Sequence, residues 1–145
     1  MAKHTNSSGA FNTAAIWTDD DNPNIHAVPE LYEDWTITAG HTVTGPTMWR
    51  DNTGNATIHG ELLGGYINFN GSYGNSVVVG SLGNLRAQQG QYIFDAIGAF
   101  ISGKIGAASI DQMVLESSYA YLYNGCQIDN LGYFTISDNS AIIPW

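Results

Sequence analysis

Cysteine is nearly absent from this sequence: Cys126 stands alone among 145 residues, which excludes an internal disulfide and any cysteine-based zinc cluster. Basic residues are almost as scarce. Lys3, Arg50, Arg86 and Lys104 face 13 Asp and Glu, for a net charge of −9, so no phosphate-neutralising surface can be assembled and nucleic acid is excluded as a partner. An anionic membrane is excluded on the same ground. Apolar runs last only a few residues before Gly or Asp breaks them, far short of the roughly 20 that span a bilayer. The first nine residues, Met1 to Gly9, carry no apolar segment like that of a secretory signal, so export by that route is not expected. Charged residues of both signs reach 12%, about half the usual share.

What the chain does hold is 43% hydrophobic residues, 17 Gly, and 35 Asn, Ser and Thr. That is enough apolar material for the core of one domain with a polar, uncharged surface. Gly interrupts nearly every window and β-branched or aromatic residues alternate with small polar ones, so short strands are predicted rather than helices.

The sequence also repeats itself. Asn55-Ala56-Thr57-Ile58-His59-Gly60-Glu61-Leu62 matches Asn75-Ser76-Val77-Val78-Val79-Gly80-Ser81-Leu82 at an offset of 20. The frame apolar-x-Gly-x-apolar returns at Ile101-Ser102-Gly103-Lys104-Ile105, 23 after Val78, and Ile37 lies 21 before Ile58. A second column stacks Ile67–Asn70, Tyr92–Asp95, Met113–Glu116 and Phe134–Ser137 at offsets of 25, 21 and 21. Two strand families repeating together every 20 to 25 residues predict an all-β, right-handed parallel β-helix of about five coils. Gly64-Gly65, Gly83-Asn84, and Asn130 with Gly132 are expected in the turns between columns. The alternative is an antiparallel β-sandwich, which the strand spacing also permits.

A coil stack exposes open strand edges at both ends unless something covers them. Residues 11–34 bring an apolar cluster, Phe11 to Trp17, ahead of the first strand column and are expected to form an N-terminal cap within a single 11–145 domain. Residues 1–10 lack core-forming side chains and are expected to be a flexible arm. Lys3 and His4 in that arm, and Pro144 and Trp145 at the other end, are candidate partner contacts.

Ala14-Ala15-Ile16-Trp17, the run Asp34–Thr44 and the segment Ala56–Leu62 resemble the cap, first strand and second strand that open many right-handed β-helix proteins of bacteria and tailed phages. The likeness spans roughly residues 11–70. In size and composition the chain is also similar to capsid decoration or cement proteins of icosahedral phage heads and to short β-helical fibre segments. The resemblance implies a homotrimer, a major capsid protein or other large assembly as partner, and a place on the virion surface after synthesis in the host cytoplasm.

Other clusters point to chemistry less strongly. Asp19-Asp20-Asp21-Asn22-Pro23-Asn24 offers alternate oxygen side chains for a hard cation, yet lacks the glycine and the downstream glutamate of a helix-loop-helix calcium site and is read as a solvated loop. Asn70, Asp95 and Glu116 share one register position, so stacked carboxylates about 4.8 Å apart could form an acid/base pair; a solvated strand end accounts for them as well. His26, His41 and His59 are read as surface or turn histidines rather than metal ligands. Cys126 is read as a small buried apolar residue. No catalytic residue, metal or cofactor is assigned. Tyr119, Tyr121 and Tyr123 alternate along one strand and form either a partner interface or core. The function expected is a structural binding protein that attaches to and stabilises an assembled phage head. A carbohydrate-binding module or tail-fibre segment is the second reading, and a polysaccharide-cleaving enzyme using Asp95 and Glu116 the third.

Overall fold

The computed structural model describes residues 2–30, 33–45, 48–50, 54–70, 76–95, 98–116, 118–137 and 141–144. Its strands, in chain order, are β1 (Ala2–Thr5), β2 (Gly9–Ala10), β3 (Trp17–Asp19), β4 (Asp34–Ile37), β5 (Thr42–Gly45), β6 (Met48–Arg50), β7 (Ala56–Ile58), β8 (Glu61–Asn70), β9 (Ser76–Val79), β10 (Asn84–Asp95), β11 (Gly98–Ile101), β12 (Lys104–Glu116), β13 (Tyr119–Leu122), β14 (Gln127–Ser137) and β15 (Ala141–Pro144). One 3-10 turn, Ala14–Ile16, precedes β3, and no α-helix occurs among the described residues.

The strands form two sheets, one ordered β15-β13-β11-β9-β7-β4-β1-β3 and the other β14-β12-β10-β8-β5-β2, with β6 beside β8. From β7 onward the chain passes alternately from one sheet to the other. Every described pair is parallel except β1 with β3. The antiparallel sandwich is therefore not the arrangement: the local hairpins it needs are replaced by pairing between segments about 21 residues apart.

Register fixes which side chains point inward. In the eight-stranded sheet, Ile37, Ile58, Val79, Ile101 and Leu122 occupy one row and Trp35, Ala56, Val77, Ala99, Ala120 and Ile142 another. The first four of the Ile37 row and the first five of the Trp35 row are almost wholly buried. The opposing sheet contributes Val43, Leu62, Leu85 and Ile105, again fully buried and in register.

Ile58 lies beside Val79, not beside Val78 as the offset of 20 suggests. Since successive strand residues face opposite sides, that single step turns Val78 outward. The cause is an alternation of turn lengths. Between the two sheets the chain uses four residues at 38–41, two at 59–60, four at 80–83, two at 102–103 and four at 123–126. Each four-residue turn closes with the same backbone bond, His41 N–H to Thr38 (3.1 Å), Gly83 N–H to Gly80 (2.8 Å) and Cys126 N–H to Tyr123 (3.1 Å). Gly40 and Gly125 take the positive φ values of 84° and 89° that two of these turns require. Each short turn ends in a glycine seated against the long turn before it: a Cβ on Gly60 would collide with the carbonyls of Thr38 and His41, and one on Gly103 with those of Gly80 and Gly83.

The second column is in the expected register throughout, with Asp95 beside both Asn70 and Glu116, and Glu116 beside Ser137. Gly64-Gly65 and Asn130 with Gly132, expected in turns, lie inside β8 and β14. Gly64 stands where the pairing between β8 and β10 shifts register, so it marks a break within a strand rather than a loop.

Residues 2–10 are not a flexible arm. β1 inserts between β3 and β4, and Thr5 ties it down: its Oγ1 accepts the Thr38 N–H at 2.9 Å, and its carbonyl accepts the Thr38 hydroxyl at 2.8 Å. Lys3, although charged, is 3% exposed. Composition alone missed this because the partners that satisfy the segment's polar groups come from residues more than 30 positions away. Phe11, Trp17 and Trp35 then close that end of the core in edge-to-face contacts, with centroids 5.0, 5.5 and 6.1 Å apart.

Candidate functional site

The strands β9, β11, β13 and β15 read Ser-Val-Val-Val, Gly-Ala-Phe-Ile, Tyr-Ala-Tyr-Leu and Ala-Ile-Ile-Pro. None holds a charged residue. Their alternation sends the second residue of each toward the core, leaving two outward rows: Ser76, Gly98, Tyr119 and Ala141, and beside them Val78, Phe100, Tyr121 and Ile143. These side chains are half-buried, apart from Tyr119, which is 46% exposed.

Row spacing in a parallel sheet, about 4.8 Å, places like positions one above another. Phe100 and Tyr121 accordingly stack with ring centroids 4.9 Å apart and planes at 4°. The Phe100 ring also lies over Gly98, where a Cβ would approach its Cε2 to 3.2 Å. The apolar rows end abruptly at β7. Toward the other end of the sheet the same two rows become Thr57, Thr36 and His4, and Asn55 and Asp34. There Asn55 N–H and Nδ2 donate to Asp34 Oδ1 at 2.7 and 3.3 Å, and Ser76 N–H and Oγ donate to Asn55 Oδ1 at 3.0 and 3.1 Å.

The expected contact residues divide. Tyr119 and Tyr121 share one outward face, whereas Tyr123 follows the end of β13 in the 123–126 turn and does not extend the row. Pro144 ends β15, exposed, beside Leu122. Trp145 lies outside the described residues, as do Tyr73 and the side chains of Trp49, Tyr66, Tyr92, Asn70, Asp95 and Glu116. Lys3 is not free to meet a partner, because its Nζ is 2.5 Å from Glu33 Oε2. His4 pairs with the Asp20 carboxylate through Nδ1. Sequence reasoning missed Val78, Phe100 and Ile143. The absence of charge from four consecutive 21- or 22-residue repeats was the available signal, hidden by the misaligned first column.

The polar end has its own chemistry. Burial pushes the Glu33 carboxyl up, but the Lys3 hydrogen bond, the Glu30 N–H and the Lys3 charge outweigh it and hold the group below its ordinary value. Asp19 is not in a solvated loop: it is 1% exposed, and its Oδ1 accepts the N–H groups of Asp21 (2.9 Å) and Asn22 (3.2 Å), fixing the turn after β3. Its Oδ2 and Trp35 Nε1 are buried without a hydrogen-bond partner. His26 Nδ1 lies 2.8 Å from the Trp17 carbonyl and His41 Nδ1 2.9 Å from Thr5 Oγ1. Among the described residues no three His, Cys, Asp or Glu side chains come together to hold a metal. Cys126 is half-buried against the core.

No family model matches this chain, and neither a curated protein nor a solved structure shows significant similarity to it.

Proposed function

We propose that this protein is a right-handed parallel β-helix that acts as a structural binding protein, attaching to a larger assembly and stabilising it. The alternation of the chain between two parallel sheets supports the fold, and right-handed crossover is the hand that twisted parallel strands adopt. The observation that carries the function is the charge-free outer face of β9, β11, β13 and β15 on a chain of net charge −9. An apolar patch bounded by polar rows is the mark of a surface that another molecule covers. A partner that binds only the assembled state shifts the equilibrium toward it. The assembly we favour is a phage head decorated by this chain as a homotrimer on the virion surface.

Carbohydrate is the rival ligand. The Phe100–Tyr121 stack favours protein, since ring faces packed on each other are not open to a sugar. Quantitative mass spectrometry of purified phage particles tests the function. The expected result is many copies per head, retained through washing; absence of the chain from particles, together with a positive glycan array, would overturn it.

A further inference from the structure

Taken as a docking surface, the same outer face also specifies what covers it. On that reading of the face, we infer that its occupant is another copy of this chain, packed side by side against the rows Val78–Phe100–Tyr121–Ile143 and Gly98–Tyr119–Ala141.

Charge favours a second copy over other partners. With 13 acidic and four basic residues, two copies repel wherever acidic surfaces meet. The four strands β9, β11, β13 and β15 contain no acid and no base, so contact there buries no charge and opposes none. Such a patch matches itself better than it matches a basic or acidic partner, which would bury charges left unpaired.

Spacing favours it as well. The outward side chains rise in steps of one strand separation, 4.9 Å for the Phe100 and Tyr121 rings. Knobs at that interval over four strands interleave fully with another sheet of the same interval, whereas a helix offers a pitch of about 5.4 Å and falls out of step. Polarity gives the direction: apolar rows on the four late strands and Thr57, Thr36 and His4 on the early ones pair like with like when the copies run parallel. Tyr119, 46% exposed, adds an aromatic anchor of the kind enriched at interface centres.

Sedimentation equilibrium of the full chain, from about 1 to 100 µM, decides this, because a compact patch of this kind suits a Kd on the order of micromolar. The expected mass is two or three times 15.6 kDa. Tyr121→Lys should weaken association at least tenfold, while Thr57→Lys, in the same row at its polar end, should leave it unchanged; circular dichroism checks that both fold. A wild-type mass of 15.6 kDa throughout, or equal dissociation by the two variants, would overturn the inference, and the wild-type measurement stands even if Tyr121→Lys does not fold. A monomer found abundantly on particles would refute self-pairing and keep the proposed function. A self-associating chain absent from particles would do the reverse.

Discussion

Val78 and Val79 are chemically identical neighbours with opposite environments. Val79 is fully buried in the row of Ile37, Ile58 and Ile101, while Val78 shares a row with Thr36 and Thr57. Val79→Thr should therefore bury a hydroxyl without a partner and cost about 1–3 kcal/mol, whereas Val78→Thr should change stability by less than about 0.5 kcal/mol. Urea midpoints of the two variants in dilute solution check this; equal losses would contradict the register. Glu33 gives a pH prediction at the same scale. Its folded-state carboxyl lies below the ordinary 4.5, so its contribution is fully present above that pH and is lost as pH falls through the lower folded value. Removing Lys3 should reverse the sign, since burial alone raises the carboxyl and protonation then favours the fold. Thermal melts of wild type and Lys3→Met between about pH 6 and 3 should diverge in slope for that reason.

Turns and edge strands carry the next level. Gly103 sits under the carbonyls of Gly80 and Gly83, so Gly103→Ala forces backbone apart and should cost about 3 kcal/mol. Gly125 has open space around its Cα but a φ of 89°, so Gly125→Ala should cost only about 1–2 kcal/mol, the left-handed penalty. Denaturant titration would rank them, and the reverse order would show that conformation, not the stacking of turns, limits the fold. β1 is a further test. It pairs with both β3 and β4, the strands that carry Trp17 and Trp35 of the aromatic cluster. Deleting residues 1–10 should expose rings that each bury on the order of 150 Å², lowering stability by about 3 kcal/mol or more and raising binding of a hydrophobic dye. An unchanged melt would mean that β1 adds nothing.

Over the whole molecule the balance lies between one uncharged face and an excess of nine negative charges. If copies pair through that face, their acidic remainders still repel at longer range, and salt screens this repulsion within about 10 Å at 0.1 M. Association should thus tighten as NaCl is raised from about 20 to 300 mM, read as a rising weight-average mass at fixed protein concentration. An interface dependent on ion pairs would weaken instead. The chain's pI of about 4.4 predicts the same trend on acidification toward that pH, where loss of net charge promotes association.

The repeat, the all-β class and the second column's register were legible from sequence because strand pairing between repeats copies residue types at fixed offsets, as Phe69, Phe94 and Leu115 show. Composition likewise determined the shortage of positive charge and the exclusions it entails. The first column was misread by one residue because long and short turns alternate, and a one-residue slip exchanges inside for outside. That exchange concealed the outward row of Val78, Phe100, Tyr121 and Ile143. Only tertiary structure could decide the fate of residues 2–10, since Lys3 is buried by virtue of Glu33 and β1 by virtue of Thr38. Neither partner is close in sequence, and no local property of a polar segment reveals that its hydrogen bonds are satisfied elsewhere.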